Sequence, residues 1–537
     1  MKTLTSWWHI PWHPVLFAFA PVIALGATNI EAVSGRYILR PALVAMAGAA
    51  LLAFGCARVL RDSHKAAVLS SLTCIFVFYT PLRAMLAGAN GPVSMLWAWR
   101  SLAASVTALS VALFVVVWRA PRRLHALTPW LNGIGWAIIV VPLLTVVRFE
   151  LYDAHRAPPP VPLPDTRLVA DPARPLPDIY YIILDGYGRA DVLEAYYAYD
   201  NSGFVEFLQA RGFFVASASL SNYSQTTLSL ASSLNLSYLD FLVDDLGRCS
   251  QDQQPLDALI GSSLVHAKLE ESGYTSYSFA TEYRRSEAEG ADVFMIPPLR
   301  TATPFEALLF DKSALSILGY REFVPGLAPI FPGYAAHRAM VEFSLHELAD
   351  LPSKAGPKFV LAHLVIPHPP FVVRADGSPA PPTQPYLLRD GNETGLTSEA
   401  YVRGYVGQLA YINGQVRELV AALQYSSATP PVIILQGDHG PGSRLDWDDP
   451  LHSDRFERHA ILNAIYLAGE EEPRLTEGMT PVNTFRIVFN HFFGAAYPLL
   501  PDKSEFSTWR WPYDFWPLAG MGEALEGSGN PPIPCGS

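Results

Sequence analysis

Cysteine occurs only four times in the 537 residues, which leaves room for one disulfide in the water-facing part and none for a disulfide framework. Cys56 and Cys74 lie inside apolar runs and read as small buried hydrophobes. Cys249 and Cys535 are the pair that an oxidising compartment would let bridge. Basic clusters are also missing. Nucleic acid is therefore an unexpected partner, because a phosphate backbone needs concentrated Lys and Arg. Acidic residues are nearly absent from the first part of the chain. Of the 38 Lys+Arg and 49 Asp+Glu, 12 and 3 fall in residues 1–150, which leaves 26 and 46 for the remainder. An apolar, slightly basic front and an acidic rear imply a membrane part and a water-facing part.

Five apolar stretches precede residue 150, each near the length that spans a hydrocarbon core. They run over Trp12–Thr28, Ile38–Ala57, Ala66–Leu86, Trp97–Trp118 and Leu127–Val147. The first is too rich in proline and aromatics, and too closely followed by further spans, for a cleaved signal peptide. Trp7, Trp8, Trp12, Trp97, Trp99, Trp118 and Trp130 gather near the span ends like an interfacial belt. Arg58, Arg61 and Lys65 lie in one connection and Arg119, Arg122 and Arg123 in another. The positive-inside tendency puts both on the cytoplasmic side, with the N-terminus inside and everything after the fifth span outside. Arg36, Arg40, Arg83 and Arg100 then fall on the outer side, where their stems snorkel. Residues 1–150 are thus an expected α-helical transmembrane bundle. Residues 151–177 are a proline-rich linker, with eight prolines between Ala157 and Pro177 favouring an extended spacer. Residues 178–537 form the expected extracytoplasmic domain.

In that domain Ile179–Leu184 is a continuous apolar run that stops at Asp185-Gly186, as a buried parallel strand would. Similar runs recur at Lys358–Leu364 and Pro431–Leu435. Helix-like stretches separate them, near Phe204–Ala210, Leu228–Leu234, Ala336–Leu348 and Ser398–Leu423. Alternation of this kind predicts an α/β domain with a mainly parallel central sheet and its site at the C-terminal strand ends. The Val402, Val406, Leu409, Ile412, Val416, Leu419 and Val420 face of the last helix is assigned to packing.

Three strand ends carry reactive groups. Asp185 follows the first, His363 and His368 lie in or after the second, and Asp438-His439-Gly440 follows the third. A hydroxyl-rich segment, NYSQTTLSLASSLN from Asn222 to Asn235, reads as a loop entering a helix with Thr226 and Thr227 near its start. A hydroxyl there feels the positive end of the helix; helix capping is the plainer alternative. Asp185, Thr226, Asp438 and His439 together make a first shell for one divalent metal ion, zinc first and Mn or Mg also suited. Bound metal would supply the activation that a threonine hydroxyl lacks at its free pKa. Arg189 is a candidate anion clamp, and a surface salt bridge is an equally good reading of it. His363, His452 and His459 are candidate substrate contacts, although a core role for His363 and solvent-facing roles for the other two are the plainer readings. The residues after Ala468 are assigned to structure.

An Asp after a first strand, a Thr about 40 residues on and a late Asp-His-Gly resemble the alkaline phosphatase superfamily. The resemblance is to its membrane-anchored sulfatase-like branch, which includes lipoteichoic acid synthases and phosphoethanolamine transferases. It covers residues 177–468 and the general architecture of the front part. The resemblance selects Thr226, with Ser229 three residues later, as the nucleophile, and His368 in HPPF as the catalytic histidine beside it. Two departures stand out. The first metal position in those transferases is usually Glu rather than Asp185, and they are richer in disulfides. The C/S-x-P-x-R motif that sulfatases convert to formylglycine is missing around Thr226, which moves the expected chemistry from sulfate to phosphate.

The resemblance implies transfer of a phospho-substituent, of the phosphoglycerol or phosphoethanolamine type, from a phospholipid donor to an envelope glycan or lipid acceptor. It also implies a phospho-Thr intermediate and a multi-pass protein of a bacterial-type cytoplasmic membrane with a periplasmic catalytic domain. A sulfatase-like or phosphodiesterase hydrolase would use the same residues. A non-catalytic envelope scaffold is the alternative of a different class.

Overall fold

The computed structural model describes residues 7–79, 108, 111–120, 122–163, 166–169, 175–281, 283–298, 303–315, 332–382, 386–447, 449, 451–468, 474–518 and 535. Most of the fourth expected span, the end of the third, and Arg83, Trp97, Trp99 and Arg100 lie outside these residues. The chain divides into two compact units. One comprises residues 1–155, 300–336 and 382–386, the other residues 156–299, 337–381 and 387–537.

The first unit is helical. Among the described residues two helices, Arg36–Leu60 and Leu124–Leu151, are long and apolar enough to cross a membrane, while His13–Thr28 and Ser63–Phe78 are shorter apolar helices. The reason for the difference from the sequence expectation is length. Sixteen residues from His13 to Thr28 rise about 24 Å, short of a hydrocarbon core about 30 Å thick. Only 6% and 17% of the apolar windows of the two long helices are buried. Leu43, Val44, Leu51, Val59, Val141 and Leu144 stand more than half exposed, a surface that suits lipid and not water. Polar side chains join the helices inside: His13 Nδ1 meets Ser71 Oγ at 2.6 Å, and the His13 amide donates to Asn132 Oδ1 at 2.9 Å. The helix Pro304–Lys312 belongs to the same unit, with Glu306 accepting from Arg40 Nε at 2.6 Å.

The second unit is built on a seven-stranded sheet. Its strands are β1 (Ile179–Leu184), β2 (Phe214–Val215), β3 (Thr275–Phe279), β4 (Val293–Met295), β5 (Lys358–Leu364), β6 (Val432–Gln436) and β7 (Asn463–Leu467). The order is β2-β7-β6-β1-β5-β3-β4. β1 pairs in parallel with both β5 and β6, placing Ile183 opposite His363 and Ile179 opposite Val432. β3 is parallel to β5 and β4, whereas β7 is antiparallel to β6 and β2. The sheet is thus mixed, parallel through its centre and antiparallel at one edge.

Every residue of β1, β5 and β6 is buried, which explains why their sequences are unbroken apolar runs. Strand alternation sends Ile179, Tyr181 and Ile183 into one core and Tyr180, Ile182 and Leu184 into the other. The helix Thr226–Leu234 packs in the first core. The long helix Ser398–Ser426 packs in the second through Leu409, Ile412, Val416, Leu419 and Val420, in the packing role its spacing predicts. Because β1, β5 and β6 run the same way, their C-terminal ends share one edge of the sheet. Cys249 and Cys535 are disulfide-bonded, with Cα atoms 5.4 Å apart. Cys56 and Cys74 are free.

Candidate functional site

The site lies at that shared edge. The Asp185 amide continues the β1–β5 ladder by donating to Leu364 O at 3.0 Å, so the first residue after the strand is still fixed by the sheet. Gly186 then turns at φ +72°, a conformation costly for any residue with a Cβ. Its amide donates to Asp438 Oδ1 at 3.1 Å, which ties the end of β1 to the loop after β6.

That loop is packed tightly enough to dictate its residues. A Cβ on Gly440 would lie 2.1 Å from Glu457 O and 2.9 Å from Ala460 O, both backbone atoms that cannot swing away. Gly440→Ala is expected to destabilise the protein by about 1–3 kcal/mol and to displace His439. Thermal unfolding of the purified variant, combined with its metal content, checks this.

Thr226 enters through a different device. The hydroxyl-rich helix it begins is buried along its whole length, and its serine hydroxyls are satisfied inside the domain. Ser229 Oγ donates to Tyr223 O at 3.0 Å, Ser232 Oγ to Ser237 O at 2.7 Å, and Ser233 Oγ accepts from Tyr181 at 3.0 Å. Small side chains let the helix approach the sheet and bring its N-terminus to the strand ends. Gln225 occupies the cap position without a side-chain cap bond, so Thr226 is free of that task. Its neighbour Thr227 is buried with no partner for its hydroxyl.

Four side chains converge. His439 Nδ1 faces Gly440 O at 2.9 Å, so this nitrogen carries the proton and Nε2 presents a lone pair. Nε2 lies 3.2 Å from Thr226 Oγ1, 3.3 Å from Asp438 Oδ2 and 3.4 Å from Asp185 Oδ1. Burial, aided by the neighbouring Arg458 charge, pushes the His439 pKa down to about 3, and the ring is neutral. Asp185 Oδ1 and Asp438 Oδ2 are buried and have no hydrogen-bond partner. Each residue spends one atom on the protein and aims another at the same point. Two buried carboxylate oxygens without a donor cost several kcal/mol apiece unless a cation compensates them. The donor set, two carboxylates, an imidazole and a hydroxyl, therefore fits a divalent metal ion, and the ligand atoms of Asp185, Asp438 and His439 lie within 4.8 Å of one another.

His363, in β5, places Nε2 3.2 Å from Asp185 Oδ2, while its Nδ1 meets Ser286 Oγ at 2.8 Å. Burial alone would lower its pKa, but the adjacent Asp185 carboxylate outweighs that and raises it. His363 thus stands behind the Asp185 carboxylate. His368 lies beside the site: its ring centroid is 6.2 Å from that of His439, and its amide donates to Asp185 O at 3.0 Å. His368 Nδ1 is engaged by Pro369 O, which leaves Nε2 available 3.9 Å from Asp390 Oδ2.

The other sequence candidates are not brought to this point. Arg189 closes on Asp191 at 2.7 and 2.8 Å and on Ser219 O at 3.0 Å, so each of its three nitrogens is engaged by the domain itself and Asp191 already balances its charge. An acid two residues away was the nearer partner. His452 is exposed and bonded to Asp449 at 2.6 Å. His459 is buried rather than solvent-facing, with its ring nitrogens 2.7 Å from Arg455 O and 3.2 Å from Glu505 O. Burial lowers its pKa to about 4, and it acts as a strut in the core.

Two functional candidates carry no sequence signal. Arg458 is buried, with Nε on Ser224 O at 2.9 Å, Nη1 on Asp390 Oδ2 at 2.5 Å and on Gly440 O at 3.1 Å, and Nη2 3.1 Å from His439 Nε2. Asp390 also accepts from Tyr401 at 2.6 Å and Gly391 N at 2.8 Å. Burial would raise the Asp390 pKa, yet the Arg458 and His368 charges hold it well below the usual carboxylate range. An arginine in RFERHA reads as a surface residue, and its partner lies 68 residues earlier.

Fold and site together define an α/β domain with a buried cluster of two carboxylates and an imidazole that could hold a metal ion, beside a threonine hydroxyl. No protein-family model matches the chain, and no curated protein matches it. Among solved structures it is similar to the C-terminal periplasmic domain of EptC from Escherichia coli, at 11% identity over 64% of this chain and 94% of that one, with a TM-score of 0.38. It is also similar to the soluble domain of lipooligosaccharide phosphoethanolamine transferase A from Neisseria meningitidis (14% identity, 57% and 82% of the two chains, TM-score 0.34). A third such structure is a 2-O GAG sulfatase (13% identity, 60% and 72%, TM-score 0.36).

Proposed function

We propose that the protein is a metal-dependent phosphotransferase acting outside the cytoplasmic membrane. It moves a phosphoglycerol- or phosphoethanolamine-type group from a phospholipid to an envelope glycan or lipid through a phospho-Thr226 intermediate. The observation that carries the reading is the convergence of Thr226 Oγ1 and His439 Nε2 with two buried, unpartnered carboxylate oxygens. Asp185, Thr226, Asp438 and His439 would hold the ion, and mixed N/O donors place zinc ahead of Mn or Mg. When bound, the ion would lower the pKa of the threonine hydroxyl and offset negative charge on the phosphoryl oxygens.

The chain's own residues account for the remaining steps. Thr226 Oγ attacks phosphorus, the bond from phosphorus to the lipid oxygen breaks, and the Thr226 proton ends on that oxygen, relayed by His368 Nε2. Arg458 Nη2 binds a non-bridging phosphoryl oxygen. Asp390 keeps the guanidinium in place. An apolar anchor keeps the site near lipid-borne donors, and the Cys249–Cys535 disulfide fits an oxidising compartment.

Arg458→Lys keeps the charge that Asp390 needs but loses the forked geometry. Its kcat is expected to fall about 100-fold with the fold intact, measured as turnover of a labelled phospholipid. The reading as a whole is tested by incubating the full-length protein in detergent with phosphatidylethanolamine or phosphatidylglycerol. A mass increase on Thr226 followed by a modified acceptor is expected. Release of free head group without a modified acceptor would show a hydrolase instead.

A further inference from the structure

We propose that the C-terminal residues 504–518 belong to the catalytic apparatus: through Gln225 they fix the position of Thr226, and the Cys249–Cys535 disulfide fixes them in turn. The proposal rests on the phosphotransfer reading and adds to it a positioning residue and a dependence on oxidation.

Residues 504–518 form a small hairpin. β8 (Glu505–Phe506) pairs antiparallel with β9 (Trp516–Pro517), and the Leu518 amide donates to Ser504 O at 2.9 Å. One edge of the hairpin runs along the segment that leads into the nucleophile. Asn222 Nδ2 donates to Lys503 O at 2.9 Å, the Glu505 amide to Asn222 O at 2.8 Å, and the Ser507 amide to Ser224 Oγ at 3.1 Å. Gln225 makes the last bonds of this seam: its Nε2 donates to Ser507 Oγ and to Thr508 O, both at 2.9 Å. Ser224, Gln225 and Ser507 are all buried. The other edge of the same segment is held from the side of His439. There Arg458 Nε donates to Ser224 O at 2.9 Å, and the Ser221 amide donates to His459 O at 2.7 Å. Thr226 is therefore delivered by an extended segment clamped along both edges.

The identity of residue 225 points the same way. Gln225 sits at the N-cap of the helix Thr226–Leu234 with extended angles, φ −122° and ψ 141°, and makes no side-chain cap bond. Ser, Thr, Asp or Asn at that position would satisfy a helix-start amide. The glutamine gives its amide hydrogens to the hairpin instead. The helix forgoes a cap, and the residue before the nucleophile gains a tether. Such a tether matters for rate, because a misplacement of about 1 Å costs about 100-fold.

The disulfide holds the far side of the same hairpin. Between β8 and β9 the chain passes Thr508, which meets Gln225, and then Tyr513 and Asp514. The Tyr513 hydroxyl donates to Asp252 O at 2.7 Å, Asp514 is ion-paired with Arg248, and the Cys535 amide donates to Asp514 Oδ2 at 3.1 Å. Arg248 and Asp252 flank Cys249, whose bond to Cys535 closes this cluster. The stretch from Thr508 to Asp514 thus links the disulfide cluster to Gln225. Breaking the disulfide frees Cys535 from Cys249, and Asp514 loses the covalent tie that keeps both of its partners in place. The hairpin then holds Gln225 loosely, and Thr226 Oγ1 leaves its place 3.2 Å from His439 Nε2. Full activity is reached only where the disulfide forms, in an oxidising compartment.

The test uses full-length protein in detergent with zinc supplied. Gln225→Met keeps the length of the side chain and loses both donor bonds. Its kcat for a labelled phospholipid should fall about 100-fold, with KM and metal content unchanged. Ser507→Ala removes one of the two acceptors; it should lower kcat severalfold and add nothing to Gln225→Met. A phosphine reduces the disulfide to two thiols and is itself oxidised to the phosphine oxide. That treatment, and the double variant Cys249→Ser/Cys535→Ser, should each lower wild-type kcat about tenfold. Neither should slow Gln225→Met further, because both act through the bonds that this variant lacks. Hydrogen exchange of the amides in residues 222–228 should quicken on reduction of the wild type, with no substrate present. Wild-type kcat in Gln225→Met would overturn the proposal. So would reduction that slows Gln225→Met as much as the wild type, or that raises KM and leaves kcat unchanged. A wild type that forms no Thr226 adduct, yet exchanges faster at residues 222–228 on reduction, would overturn the phosphotransfer reading and leave the hairpin's hold on Thr226 standing.

Discussion

Thr226→Ala is expected to lower group transfer by roughly 10⁴-fold or more, because losing a nucleophile leaves only binding and fixed charges to act on the substrate. The geometry separates this from a structural effect. The cap position of the helix belongs to Gln225, so removing the Thr226 hydroxyl deletes no cap bond, and its one recorded side-chain partner is His439 Nε2. Thermal stability without metal should therefore change little. Thr226→Ser keeps an oxygen in place and should retain measurable turnover. Thr227→Ala deletes a hydroxyl that has no partner and should behave as wild type. Intact mass after incubation with phospholipid is the decisive readout: the adduct should vanish in Thr226→Ala and persist in Thr227→Ala. An adduct that survives in Thr226→Ala would remove the threonine from the mechanism.

The parts of this site that were legible in the sequence are those delivered by strand ends. The run IYYIIL, short, β-favouring and ended by Asp-Gly, reads as a strand buried on both faces, and Asp185 follows it directly. The same logic placed Asp438 and His439 after β6. The hydroxyl run marked a helix start with Thr226 and Thr227 near it, and only the family resemblance singled out Thr226 between the two. What could not be read was long-range pairing between charged side chains. Arg189, near the first strand, reads equally well as an anion clamp or a salt-bridge partner, and the acid two positions away decides for the salt bridge. Arg458 took the place beside His439 because Asp390 makes its burial affordable, and nothing local marks either residue. His459 shows the same limit: its sequence context is polar, and only the tertiary packing against Arg455 O and Glu505 O buries it. The place of the helix Pro304–Lys312 in the helical unit was equally invisible, since the partner of its Glu306, Arg40, lies 266 residues earlier.

Removing the metal should cost stability as well as activity, and the buried carboxylates say why. Without a cation, the buried oxygens Asp185 Oδ1 and Asp438 Oδ2 lack a partner; with one, both would gain one. An ion present at about 1,000 times its Kd stabilises the folded state by about 4 kcal/mol. Chelation is then expected to lower the unfolding temperature by roughly 10 °C and to abolish turnover, and zinc should restore both. Asp438→Asn sharpens the test. It keeps the shape of the side chain and an oxygen for the Gly186 amide, while removing one of the two carboxylate charges at the site. The metal-free variant should be at least as stable as the metal-free wild type, because an uncompensated charge has been taken out. It should also fail to gain stability when zinc is added. A wild-type protein whose unfolding temperature ignores both chelator and zinc would show that the two carboxylates are balanced in some other way, and the metal-centred reading of the site would fall with it.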